Sequence, residues 1–186
     1  MIGYAFCGSF CTLSHSLTAL RGLLSAGWEV QPIMSETVYE TDTRFYQAAA
    51  LRQEVEEMCG RRIIHTIVDA EPLGPKDPLD LLIIAPCTGN TLAKMANGIT
   101  DTAVTMAAKA HLRTERPLLL ALASNDAMSA NLRNLATLSL RKGVYLVPMQ
   151  QDDPVKKPSS LVADFSRLDE AFVAAREGRQ LRPLFL

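Results

Sequence analysis

Long hydrophobic runs are missing from this sequence: no stretch approaches the roughly 20 apolar residues that cross a bilayer. Its start, Ile2-Gly3-Tyr4-Ala5-Phe6, reads as a strand without the basic region of an export signal, so a cytoplasmic protein is expected. An excess of one charge is also missing. The 19 Lys and Arg residues face 20 Asp and Glu, which excludes the broad basic field of a sequence-independent nucleic-acid binder. Cysteine is scarce, and Cys7, Cys11, Cys59 and Cys87 contain no pair at the two-residue spacing of a zinc knuckle or redox motif. Reduced thiols and no metal site follow. Histidine is scarcer still. His15 sits early in a helix, His65 in a strand and His111 near a helix C-terminus, none of them at triad or metal spacing to an acid, thiol or second histidine.

What is present is a chain of 186 residues, 48% hydrophobic, enough for one core without disulfides. Short apolar runs alternate with helix-period segments, the pattern of an α/β, three-layer Rossmann-like fold with a central parallel sheet covered by helices on both faces. Strands are expected at 2–6, 29–34, 63–68, 79–85, 118–123 and 144–147. Leu13, Leu17, Leu20 and Leu24 mark a first helix closed by Gly27. A second helix is expected behind Asp42 or Thr43, with Phe45, Ala48, Leu51, Val55 and Met58 on its inner face. Pro72, Gly74, Pro75 and Pro78 break any element between Asp69 and Asp80, which predicts an ordered loop or a lid. A C-terminal helix near 160–177 closes a single domain spanning 1–186. No repeat or linker divides it.

Ligands of an open parallel sheet bind beyond the carboxyl ends of its strands, so each strand end carries weight. After the first strand, Gly8 lets backbone approach an anion and Ser9 and Thr12 add hydroxyls; phosphate binding and simple helix capping by Thr12 or Ser14 explain this turn equally well. A three-glycine dinucleotide fingerprint is lacking, although Glu36 could reach a ribose. Ser35 and Thr37 follow the second strand. Pro86-Cys87-Thr88-Gly89-Asn90-Thr91 follows the central one, with Thr88 and Asn90 as alternative caps, and Asn125, Ala127 and Met128 follow the next.

These turns resemble the homo-oligomeric flavin-containing decarboxylase superfamily, which is similar in its Gly-Ser turn, its serine after strand two, its Pro-Ala-Ser-Ala-Asn-Thr-like motif and its Met-bearing motif. Pro86, Asn90 and Thr91 fit the third of these, while Cys87, Thr88 and Gly89 replace its middle. The resemblance implies a flavoprotein-type fold, FMN held by Gly8, Ser9, Thr12, Ser35, Thr37, Pro86, Cys87, Thr88, Asn90, Thr91, Asn125, Ala127 and Met128, and a homo-oligomer of three or more chains. Within the superfamily, segments 42–45, 70–76, 125–127 and 156–163 resemble a subunit that works beside a dinucleotide-binding A subunit on a small dicarboxylate in spore-forming bacteria. Any NADP would then enter only through that partner, and Arg44, Lys76, Lys156 and Lys157 are candidate cations for the substrate. No catalytic residue is identified. Counting back from Pro86 puts Pro72, and not a histidine, where the decarboxylases carry their catalytic one. An FMN-dependent decarboxylase of a cysteine-containing substrate, or a non-catalytic subunit that organises the A subunit, are the alternatives.

Overall fold

The computed structural model describes all residues, Met1 to Leu186. Five of the apolar runs form parallel strands: β1 (Ile2–Phe6), β2 (Val30–Met34), β3 (Leu82–Cys87), β4 (Leu118–Ser124) and β5 (Val144–Leu146). Their order is β2-β1-β3-β4, with β5 paired along residues 118–120 of β4. Two short strands extend the sheet antiparallel: β7 (Leu161–Ala163) pairs Ala123 and Ser124 of β4, and β6 (Met149–Gln150) pairs β7. The sheet is therefore mixed and mostly parallel, where a purely parallel one was expected.

Alternation along the strands sends residues into two cores. Tyr4 and Phe6, Leu81 and Ile83, and Leu119 and Ala121 face one side, where they meet α1 (Leu13–Ser25), α2 (Glu36–Glu40), α3 (Ala48–Cys59) and α8 (Leu168–Arg176). Ala5 and Cys7, Leu82 and Ile84, and Leu118, Leu120 and Leu122 face the other, against α4 (Ile67–Ala70), α5 (Gly89–Ala96), α6 (Ala103–Leu112) and α7 (Leu132–Ser139). A buried polar link fixes α1 on its sheet. The Tyr4 hydroxyl donates to the Ser16 carbonyl at 3.0 Å, and Ser16 Oγ donates to the Ala85 carbonyl at 2.6 Å. Unpaired, these hydroxyls would make the interior unfavourable; paired, they hold the start of α1 in register with the end of β3.

Three expected elements differ. Residues 63–68 do not form a strand: Ile64 makes one bridge to Ile33, and Thr66 then caps α4, its Oγ1 accepting from the Asp69 amide at 3.1 Å. A local side-chain bond of this kind competes with a ladder and wins here. The segment behind Asp42 stays non-helical until residue 48, because the Asp42 carboxylate accepts the Ala48 amide at 2.8 Å across the intervening turn; Phe45 is thus outside the helix. Finally, the helix near 160–177 begins only at Leu168. Residues 161–163 are strand, and Asp164 caps a 3₁₀ turn at Phe165–Arg167, accepting from the Ser166 amide at 3.0 Å.

The loop at 69–80 is ordered and lies at the amino end of the sheet. Asp80 pairs with the N-terminal amine at 2.7 Å, and Gly74 packs so closely on Ala110 that a Cβ would stand 2.6 Å from its carbonyl oxygen. It is no lid for anything at the carboxyl end.

Candidate functional site

β2 and β3 lie on opposite sides of β1, so the winding reverses between β1 and β3. Open α/β sheets bind ligands at such a switch point, and strand order 2-1-3-4-5 is the flavodoxin-like case of the rule. A cleft of about 690 Å³ occupies this place, beyond the carboxyl ends of β1, β3 and β4.

At the end of β1 the cleft is lined by Gly8, Ser9, Phe10, Cys11 and Thr12. The even choice between cap and anion site is sharpened here. Thr12 is the N-cap of α1, yet its hydroxyl donates to the Ser9 carbonyl at 2.9 Å and caps no amide. α1 continues a 3₁₀ turn, Phe10–Thr12, to which it bonds through the Leu13 amide and the Phe10 carbonyl; neither turn has a side-chain acceptor or an acidic residue at its start. A Cβ on Gly8 would stand 3.4 Å from Thr37 and 3.6 Å from the Phe10 ring, which leaves backbone accessible beside the turn.

The end of β3 is different. Thr88 caps α5, accepting from the Thr91 amide at 3.2 Å, and its hydroxyl donates to Thr91 Oγ1, which donates to the Cys7 thiol at 3.3 Å. Burial pushes the Cys7 thiol up to about 11 and the Cys87 thiol well above its ordinary value. Both stay protonated and serve as core, not as nucleophiles. Cys11 is the exposed thiol of the cleft.

Beyond β4 a hydrogen-bonded cluster forms a wall. Ser124 Oγ donates to Asp126 at 2.5 Å, Asn131 Nδ2 lies 2.9 Å from both carboxylate oxygens, and Asn134 holds Asn131 at 2.9 Å. The Ser124 hydroxyl, then the Asn131 amide, hold the Asp126 carboxyl below the usual carboxylate range. Gly89 makes this packing possible, since a Cβ there would stand 2.6 Å from Asn131 Nδ2 and 2.8 Å from Asp126 Oδ1. The rim adds Arg44 and Phe45 on one side and Asp152, Lys157, Ser160 and Val162 on another. Arg44 lies over the Phe45 ring at 4.8 Å and makes no ion pair, whereas Lys157 is paired with Asp152 at 2.6 Å.

Of the residues singled out in the sequence, Gly8, Ser9, Thr12, Arg44, Thr88, Asn90, Asn125 and Lys157 line this cleft. The others do not. Ser35 caps α2 through the Val38 amide, and Thr37 is exposed beside Gly8, its methyl 3.4 Å from where a Gly8 Cβ would stand. Pro86, Cys87 and Ala127 are packed into β3 and the core. Thr91 is turned inward to Cys7, and Met128 is 37% exposed outside the cleft. Lys76 belongs to the loop at the opposite end of the sheet, and Lys156 is turned to solvent beside Lys157. Phe10, Cys11, Phe45, Gly89, Ser124, Asp126, Asp152 and Ser160 also line the cleft and were not among the expected site residues. Asp126 and Phe45 stood inside segments that carried the resemblance, which was the available signal; nothing local marked Asp152.

The residue count that set Pro72 in place of a histidine also changes meaning. Pro72 lies in the loop at the amino end, which interrupts the path from α4 to β3. His65 follows Ile64, which pairs beside Ile33 near the carboxyl end of β2, and its ring stacks on Tyr39 at 3.7 Å. A histidine therefore stands at the carboxyl end of the sheet, although His65 does not line the cleft.

Comparison with known proteins agrees with this fold. The flavoprotein family model matches residues 1–167. The B-type subunit of dipicolinate synthase from Bacillus subtilis (strain 168) is 42% identical over 185 residues, covering 100% of this chain and 92% of that protein. The crystal structure of the corresponding dipicolinate synthase chain from Bacillus halodurans C superposes with a TM-score of 0.91 at 38% identity, over 100% of this chain and 95% of that one. That of an FMN-dependent cysteine decarboxylase superposes with a TM-score of 0.65 at 26% identity, over 94% and 95%. No helix is long and apolar enough to cross a membrane. The chain belongs to the flavoprotein family.

Proposed function

We propose that the chain acts as the B-type subunit of a dipicolinate synthase, helping a dinucleotide-binding A subunit oxidise a dihydro- or hydroxytetrahydro-dipicolinate to dipicolinic acid, with FMN in the cleft. The observation that carries this reading is the cleft itself: a space of about 690 Å³ at the β1/β3 switch point, bounded by the Gly8-Ser9 turn and by a 3₁₀ turn, Phe10–Thr12, that has no side-chain cap and leads into α1.

The residues present fit FMN. The Gly8-Ser9 turn and the amides of Phe10 and Cys11, at the start of the 3₁₀ turn that runs into α1, would hold the phosphate, since oriented N–H groups and a positive helix end favour an anion. The Asn90 side chain and the amides at the start of α5 would hydrogen-bond the ribityl chain or ring, and Phe10, Ala123 and Val162 offer apolar wall. When bound, FMN supplies a two-electron acceptor. The dihydro substrate must lose two hydrogens, and the hydroxytetrahydro form must also lose water; the aromaticity of the product favours both.

The chain's own part is to orient the substrate and exclude water. Arg44, the rim cation without a carboxylate partner, would take one substrate carboxylate. Lys157 would take the other by exchanging Asp152 for the ligand. Two cations against Asp126 and Asp152 leave the cleft with no surplus positive charge for a dicarboxylate beside a phosphate, which suits a site completed by the A subunit.

The test is reconstitution. Chain plus A subunit, given substrate and FMN, should produce the absorbance of the pyridine dicarboxylate, and the purified chain should take up FMN in a ratio near one. Full activity of the A subunit without this chain sinks the proposal. A second reading, an FMN-dependent decarboxylase, is favoured by His65 standing at the carboxyl end of the sheet; release of carbon dioxide from a peptidyl-cysteine substrate would select it.

A further inference from the structure

Asp126 is an anion fixed inside a cleft that is read as a phosphate site. Its position against α5 explains why that is consistent. Three clamping contacts, from Ser124 at 2.5 Å and from Asn131 to both oxygens at 2.9 Å, allow the carboxylate little freedom to turn away. Oδ1 is close enough to Gly89, the first residue of α5, that a Cβ there would be 2.8 Å away. The first turn of α5 carries the positive end of that helix, and Thr88 satisfies only the Thr91 amide of its orphan donors. A carboxylate held below the usual range by Ser124 and Asn131 stays charged at neutral pH and repels a second anion at the same helix end. The other helix end facing the cleft has no such guard. The 3₁₀ turn Phe10–Thr12 and α1 behind it begin without a side-chain cap and without an acidic residue, and the rim carboxylate Asp152 is paired with Lys157 at 2.6 Å.

We infer that Asp126 is a specificity-determining residue: it fills the positive end of α5 with an internal anion. The cleft then accepts a phosphate only at Gly8-Ser9 and presents Thr88-Gly89-Asn90 to an uncharged part of the ligand. This rests on the reading that the cleft takes a phosphate-bearing cofactor, and the experiment separates the two.

The cofactor-free chain is titrated calorimetrically with inorganic phosphate as wild type, Asp126→Asn, Asp126→Ser and Ser124→Ala, each with and without Ser9→Asp. Wild type and Ser124→Ala should bind one phosphate and lose it when Ser9 becomes acidic. Both neutral Asp126 variants should gain a phosphate site that survives Ser9→Asp, roughly tenfold or more tighter than any residual binding in wild type. Phosphate still bound by the Ser9→Asp chain with Asp126 intact overturns the assignment, even if no Asp126 variant folds. So does Ser124→Ala gaining the second site, which would make packing and not charge the cause. Wild type that binds phosphate at Gly8-Ser9 and ignores FMN refutes the flavin reading and leaves the role of Asp126 standing.

Discussion

Replacing Gly89 by alanine puts one methyl group into the most crowded spot beside the cleft. Its ideal Cβ falls 2.6 Å from Asn131 Nδ2 and 2.8 Å from Asp126 Oδ1, with Ser124 Oγ nearer still. These are not the loose ends of long side chains. Ser124 and Asn131 are buried, and all three are tied to one another, so relief for one breaks a bond of another. Overpacking costs about 1–3 kcal/mol, and disturbing hydrogen bonds to a charged group costs about 1.5–3 kcal/mol. Against this, alanine gains at most ~1 kcal/mol of helix propensity over glycine. The net is a loss of about 2–4 kcal/mol, which for a chain of this length lowers Tm by roughly 6–12 °C. Gly8→Ala is the control. Its Cβ meets only Thr37 at 3.4 Å and Phe10 at 3.6 Å, so Tm should stay within about 2 °C while FMN or phosphate affinity drops. Thermal melts followed by circular dichroism, paired with ligand titration, read both numbers. A Gly89→Ala chain that melts with wild type would show that the Asp126 cluster is loose, and the argument for a fixed anion would go with it.

Thiol labelling of the native chain followed by mass spectrometry should modify exposed Cys11 first and spare Cys7 and Cys87, whose thiols burial keeps protonated; added FMN should slow Cys11, and rapid labelling of Cys7 would contradict the packing. Arg44→Ala should raise the KM for the dicarboxylate roughly 10- to 100-fold, as expected for losing a charged hydrogen bond, whereas Lys76→Ala at the opposite end of the sheet should be silent; equal effects would misplace the substrate. His111 is buried with its Nε2 at 2.9 Å from the Pro117 carbonyl and its Nδ1 unpartnered, and burial lowers its pKa. The unfolded chain then binds the extra proton first, so stability should fall as pH drops from about 6.5 toward the lower native value, and His111→Gln should flatten that slope in melts; parallel slopes would refute it.

The sequence by itself determined the two-sided sheet and the strand ends that matter. Dense apolar runs such as 79–85 read as central strands, and the structure places one at Leu82–Cys87; small or hydroxylated residues after β1, β3 and β4 mark places where backbone can meet a ligand. Gly8, Ser9, Thr88 and Asn90 were legible because each lies within a few residues of its strand, where local geometry decides. The tertiary structure decided the rest. Leu161 shares a helical period with Leu168 and Phe172 and still lies in a strand, because the upper half of β4 offers Ala123 and Ser124 as an unpaired edge. Lys76 and Lys157 look alike in sequence, yet one lies at the amino end of the sheet and the other on the cleft rim. Ser35 and Thr91 look alike as ligand donors, yet Ser35 accepts an amide as the cap of α2 and Thr91 gives its proton to the Cys7 thiol in the core. Asp126, Asn131 and Gly89 come together from two separate helix starts, and no local pattern encodes that meeting: their hydrogen bonds and the missing Cβ have meaning only once β3 and β4 lie side by side.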